Sequence, residues 1–158
     1  MNIAFKKMCP EHISQVVEIE QASFPAPWPQ QVFTSEIQNE FAHYIVAAVN
    51  EQVIGYGGMW LVLDEAQVTN VAVHPAYRMN NIGKMIMLEL MRRAILMGID
   101  KMTLEVRLSN LVARHLYASL GFEKKGMRKK YYLDNNEDAI IMWKHDLGGN
   151  EVTACRDI

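Results

Sequence analysis

The stretch Val71-Ala72-Val73-His74-Pro75-Ala76-Tyr77-Arg78-Met79-Asn80-Asn81-Ile82-Gly83-Lys84 carries an apolar run through a polar turn into a helical pattern. A strand that feeds a helix this way presents backbone N–H groups with no intrahelical partner, at the positive end of the helix dipole. That combination suits a diphosphate. Arg78 and Lys84 add positive charge on either side of the turn. The same residues also read as a plain strand-to-helix connection with two solvated cations, and the pattern alone does not choose. Two further side chains stand out. Glu105 lies between Leu104 and Val106 in a strand-like run, where a carboxylate is usually surface-facing or salt-bridged. Tyr117 lies in a helical run, where the default is a core aromatic with an exposed hydroxyl.

Other chemistries find little support. No Gly-x-Ser-x-Gly elbow occurs, and Cys9 and Cys155 form no CxxC pair. The five histidines show no HExxH or comparable ligand spacing, so no metal is expected. His74, which precedes a proline, reads as a strand terminator.

These residues need elements to position them. Ile3 to Met8 reads as a strand, and Pro10 suits the first turn of a helix carrying Ile13, Val16, Val17 and Ile19 at helical spacing. Pro25, Pro27 and Pro29 forbid regular structure, and a short helix is expected over Gln30–Asn39. Tyr44–Val49 and Val53–Val62 read as a hairpin around Asn50-Glu51-Gln52, with Gly55, Gly57 and Gly58 marking a bulge or a close approach. Gln67–Val73 is a third strand, and Ile82–Met97 is a helix stopped at Gly98. A strand over Lys101–Val106 and a helix from Asn110 to Leu120, capped by Ser109 or Asn110, come next. Phe122–Tyr132 and Ala139–His145 close the order as strands. The expected fold class is α/β: a mixed sheet of about seven strands with helices on both faces.

The Val71–Lys84 segment resembles the coenzyme A pyrophosphate loop of the GNAT superfamily of N-acetyltransferases. That pattern is Gln or Arg, two residues, Gly, any residue, then Gly or Ala; Arg78 and Gly83 match its ends. Asn81 stands where the pattern has its first glycine, after Met79 and Asn80, and asparagine is among the few residues that tolerate the left-handed region. The likeness extends over nearly all of residues 1 to 146. It includes Phe24-Pro25 with Trp28, Leu63-Asp64-Glu65-Ala66, Asn70-Val71-Ala72-Val73 and Leu104-Glu105-Val106-Arg107 with Ser109-Asn110. It continues in Leu116-Tyr117 with Leu120-Gly121-Phe122, and in Tyr131-Tyr132 with Glu137-Asp138-Ala139. Within the superfamily the chain is most similar to the bacterial RimI-type enzymes, which acetylate the N-terminal alanine of a small-subunit ribosomal protein.

The resemblance implies acetyl-CoA as cosubstrate and direct transfer without a covalent enzyme intermediate. It implies Glu105 as general base through water, Tyr117 as general acid for the departing thiolate, and a backbone N–H near Val73 for the oxyanion. Val71, Val73, the loop Arg78, Met79, Asn80, Asn81, Ile82, Gly83 and Lys84, and Asn110 would contact coenzyme A. Phe24 and Trp28 on one side, and Tyr131 and Tyr132 on the other, would wall the acceptor groove, with Glu65 and Asp138 as acceptors for a basic peptide. Lysine side chains or small amines as acceptors, or a non-catalytic acyl-CoA-binding module, stay open at this point.

At 158 residues the chain fits one domain, expected over residues 1–147 with a polar tail from 148 to 158. A net charge of −2 gives no global reason for nucleic acid binding, and Arg128, Lys129 and Lys130 read as a solvated turn. No signal sequence or membrane span is visible, so the expected setting is cytoplasmic, away from membranes.

Overall fold

The computed structural model describes residues 1–148; the expected tail beyond Gly148 lies outside the described residues. The chain runs β1 (Ala4–Lys7), α1 (Ile13–Ser23), α2 (Gln30–Gln38), β2 (Ala42–Val49), β3 (Gln52–Val62), β4 (Glu65–Val73) and α3 (Ile82–Leu96). β5 (Lys101–Arg107), α4 (Leu111–Ser119), β6 (Glu123–Tyr132) and β7 (Glu137–Lys144) complete it. Short 3-10 turns precede α1 (Pro10–His12) and follow β4 (Pro75–Tyr77). The seven strands form one sheet in the order β1-β2-β3-β4-β5-β7-β6. Every neighbouring pair is antiparallel except β4 with β5.

Alternation along the strands builds two cores. On one face Met102, Leu104 and Val106 of β5 and Ile140 and Met142 of β7 meet Ile82, Ile86, Leu90 and Met91 of α3, with Leu116 and Tyr117 of α4 packed against them. On the other face Val16 and Ile19 of α1 and Phe33 of α2 meet Tyr44, Val46, Tyr56 and Ala72. Leu147 is fully buried, and its amide donates to the Asp100 carbonyl at 2.8 Å, so the packed core extends to the end of the expected domain.

The β2–β3 hairpin turns without a glycine: Asn50 and Glu51 both take positive φ, 50° and 68°. The glycines of β3 serve close approach. A Cβ on Gly57 would lie 2.6 Å from Cγ2 of Ile86, and one on Gly58 2.1 Å from Cε1 of Tyr44. The Tyr44 ring has little freedom to retreat, because its hydroxyl meets both Thr69 Oγ1 at 2.7 Å and Glu36 Oε2 at 3.0 Å. Gly58→Ala is expected to destabilise the protein by about 1–3 kcal/mol, read as a lower urea midpoint.

Candidate active site

β4 and β5 pair over only three positions, Glu65↔Lys101, Ala66↔Met102 and Gln67↔Thr103. Beyond Gln67 the first strand stays with β3 up to Val73, while the second stays with β7 up to Arg107. The strands therefore part, and a wedge opens between Val68–Val73 and Leu104–Arg107. A bulge in the β3–β4 pairing, between Gly58 and Met59, sits at the parting. One extra residue in β4 reverses the alternation. Glu65 and Gln67 share the α1–α2 face with Thr103, yet beyond the bulge it is Asn70 and Ala72 that face this side. Val71 and Val73 are turned toward α3.

The β4–α3 connection lies at the mouth of the wedge. His74 Nδ1 accepts the Ala76 amide at 3.0 Å and fixes the 3-10 turn, a local task that needs no catalytic role. Met79 and Asn81 take positive φ, 70° and 60°. Asn81 is the N-cap of α3, and its side chain makes no capping bond, which leaves the first-turn amides of Ile82, Gly83 and Lys84 without a side-chain acceptor. A Cβ on Gly83 would meet Leu116 Cδ2 at 3.6 Å and Val73 Cγ2 at 3.9 Å, ordinary packing distances. Arg78 departs from expectation. Its Nε donates to the Val73 carbonyl at 3.0 Å and its Nη2 to Ser23 Oγ at 3.1 Å, fastening the loop to β4 and α1 instead of reaching outward. The Asn80 amide donates back to the carbonyls of Tyr77 and Arg78, both at 3.1 Å. Met79 is fully exposed, as is Lys84 to a large degree.

On the α1–α2 face of β5, Glu105 Oε1 accepts from Arg128 Nε at 2.8 Å. The nearby Glu105 carboxylate is the main reason the Tyr131 hydroxyl titrates above its ordinary value. The basic run Arg128-Lys129-Lys130 is thus not a solvated turn. It lies in β6, at a bulge between Arg128 and Tyr132 where Lys130 takes φ 52°. Asp138 stitches that bulge, accepting the Lys130 amide at 2.9 Å and Lys129 Nζ at 3.3 Å. Its carboxylate is therefore engaged within the hairpin, not presented to a ligand. The bulge sets the rings of Tyr131 and Tyr132 edge to face, 5.1 Å apart. Arg107 lies over the Tyr132 ring at 3.9 Å and bonds Asp134 at 3.1 Å and Glu137 at 3.5 Å. These arginines were not singled out as site residues from sequence; both stand opposite Ala139 of β7.

Tyr117 reaches the site from the other face. Its ring packs against Phe122, 6.0 Å away. Burial first, and Tyr132 second, push its hydroxyl up to about 12. Tyr132 is likewise raised to about 12 by burial, opposed by Arg107 and reinforced by Glu105. Tyr117 as a whole is half-buried. Asn110 caps α4, its Oδ1 accepting the Ala113 amide at 3.2 Å.

Phe24 ends α1, and Trp28 packs on Phe33 with centroids 5.5 Å apart. Glu65 lies at the closed end of the β4–β5 pairing, where it accepts from Gln67 Nε2 at 2.8 Å. A separate groove of about 340 Å³ between α4 and the β6–β7 pair, floored by Phe122, Ile140 and Met142, includes none of the candidate residues.

Residues 13–122 match the model of the acetyltransferase (GNAT) family. The chain belongs to the GNAT family. A Bacillus subtilis (strain 168) protein, to which the name ribosomal protein bS18-alanine N-acetyltransferase is provisionally attached, is 42% identical over 145 residues, spanning 89% of this chain and 93% of that one. The crystal structure of the ribosomal-protein-S18-alanine N-acetyltransferase from Escherichia coli superposes with a TM-score of 0.85 at 31% identity, covering 95% and 97% of the two chains. A GNAT acetyltransferase from Elizabethkingia anophelis, solved with acetyl-CoA bound, shares the fold at 16% identity, TM-score 0.74, over 91% and 98% of the chains.

Two consequences of the GNAT site geometry are open to test. The first concerns the left-handed N-cap: Asn81→Val is expected to cost about 1–2 kcal/mol, whereas Asn81→Gly is expected to be neutral in urea unfolding. The second concerns Glu137, which accepts the Ser109 amide at 2.7 Å. The Ser109 side chain first, and this amide second, lower its carboxyl from 4.5 to about 2. A depressed folded value gives stability that is complete above the unfolded value and is lost as pH falls through the folded one. Wild-type stability is therefore expected to drop between pH 4.5 and 2 more steeply than that of Glu137→Gln, in acid titrations of both proteins.

Proposed function

We propose that this GNAT protein transfers an acetyl group from acetyl-CoA directly to the α-amine of a peptide N-terminus, with an alanine-starting ribosomal protein as acceptor. The observation that carries this reading is the position of Glu105, which projects from β5 beside the wedge with its carboxylate 2.8 Å from Arg128 Nε. An α-amine, whose pKa of about 7.7–8.0 leaves much of it neutral near pH 8, needs only modest base assistance, whereas a lysine at about 10.4 needs far more. The names of the B. subtilis and E. coli relatives support the same acceptor class.

The amides of Ile82, Gly83 and Lys84 would receive the diphosphate, and the wedge the pantetheine arm. Acetyl-CoA would supply the activated thioester. As the N–C bond forms and the C–S bond breaks, Glu105 takes the amine's proton through water and Tyr117 gives its proton to the departing thiolate. A hydroxyl raised to about 12 keeps that proton throughout the physiological range. Free amide groups of β4 near Val73 would hold the charge on the carbonyl oxygen. The hairpin rings Tyr131 and Tyr132 and the Phe24–Trp28 loop would flank the acceptor chain, and the mobile charge of Lys84 would face the phosphates.

The direct assay follows coenzyme A thiol release with short basic peptides bearing a free N-terminal alanine, beside N-terminally blocked, lysine-containing peptides. Turnover is expected only with the free-alanine set, with kcat/KM rising to a plateau above about pH 8 and no alkaline fall before about pH 10. Glu105→Gln and Tyr117→Phe are each expected to lower kcat about 100-fold or more. Turnover confined to the blocked lysine peptides would contradict the acceptor, and wild-type rates in both variants would contradict the mechanism.

A further inference from the structure

Glu20 of α1 is 3% exposed, and its carboxylate lies among groups from three other elements. Oε2 accepts the Trp28 amide at 2.9 Å. Oε1 accepts the hydroxyl of Tyr56, on β3, and Asn70 Nδ2, on β4, at 3.2 Å. The loop it reaches is poor in donors. Between Phe24 and Pro29 the prolines at 25, 27 and 29 have no N–H, so only Phe24, Ala26 and Trp28 can donate. Glu20 receives two of these three: its backbone carbonyl accepts Phe24 at 3.1 Å and its side chain accepts Trp28. Both ends of the loop's Phe–Trp span therefore terminate on one residue. The same carboxylate is tied to Asn70, beside the bulge where β4 leaves β5.

The link continues past Asn70. Its Oδ1 accepts from Thr69 Oγ1 at 3.0 Å, Thr69 meets the Tyr44 hydroxyl at 2.7 Å, and Tyr44 and Trp60 Nε1 both donate to Glu36 of α2. The loop is thus bracketed by a chain of polar contacts, buried at Glu20 and reaching the surface at Thr69, that runs from α1 across the sheet to α2. Burial and the Glu20 carboxylate push the Tyr56 hydroxyl well above its ordinary value, so it stays a donor.

We propose that Glu20 is a positioning residue for the acceptor: it fixes the Phe24–Trp28 wall at a set distance from the strand that lines the wedge. This rests on the reading of that loop as an acceptor wall. Nothing in the chain of bonds touches the α3 N-terminus, so loss of the anchor is expected to act on the peptide and not on acetyl-CoA.

The test compares Glu20→Met/Tyr56→Phe with the Tyr56→Phe background. Replacing both members of the buried Glu20–Tyr56 pair by apolar groups of similar shape limits the cost to stability, while the Trp28 amide and Asn70 Nδ2 lose their acceptor. Hydrogen exchange at the Trp28 amide is expected to accelerate in the double variant alone. The peptide KM is expected to rise about tenfold or more, with the acetyl-CoA KM unchanged. Unchanged Trp28 exchange would overturn the anchoring. A released Trp28 with an unchanged peptide KM, or equal shifts for both substrates, would overturn the positioning role. A wild-type protein that acetylates no free α-amine peptide would instead sink the acceptor reading, and the exchange measurement, made without substrate, separates that failure from the first.

Discussion

Backbone amides and carbonyls buried in a sheet need partners, and a strand that loses its neighbour must find others. β4 meets this constraint at Gln67, the last residue paired with β5. Beyond it, the edge of β4 that would have bonded β5 faces the wedge. The bulge opposite Gly58 and Met59 turns Val71 and Val73 toward α3 and Asn70 toward α1. Three features then depend on the parting. The α3 N-terminus lies at the end of β4, Glu105 projects from the diverging strand on one face, and Tyr117 approaches from the other. A free strand edge of this kind can take an extended chain through main-chain hydrogen bonds.

Charge pairing shapes the second wall. Arg107 binds Asp134 and Glu137, Arg128 binds Glu105, and Lys129 binds Asp138. Singly, partly exposed pairs of this kind contribute little to stability. Together they hold a bulged hairpin in one shape and orient Tyr131 and Tyr132. Their consequence is therefore geometric. They also hold the Glu105 carboxylate in place beside the wedge, 2.8 Å from Arg128 Nε.

Element types and order were legible in the sequence because turn residues punctuate strong apolar periodicity. Gly98 and Gly121 stop helices with φ of 83° and 94°, and the proline run separates α1 from α2. The left-handed Asn81 was legible too, from the small set of residues that tolerate that conformation. The direction of side chains was less so. The side chain of Arg78 is bonded to the Val73 carbonyl and the Ser23 hydroxyl, and Asp138 to the Lys130 amide, partners the sequence did not indicate. Arg128 to Lys130 read as a solvated turn from their clustered charge, whereas they continue the strand expected over Phe122–Tyr132. Glu20 left no trace of its own, being one glutamate among helical neighbours. Its partners Tyr56 and Asn70 are brought to it by the sheet, from 36 and 50 positions away.

The account stands on one claim, that acyl donor and amine meet in the wedge between β4 and β5. A crystal structure with a bisubstrate compound, coenzyme A joined through an acetyl linker to the α-nitrogen of an alanine-starting peptide, tests it directly. The linker carbon is expected within the wedge between Glu105 and Tyr117, with the diphosphate on the amides of Ile82 to Lys84 and the peptide between Trp28 and Tyr131. A linker lying outside the wedge, for instance in the groove between α4 and the β6–β7 pair, would contradict it.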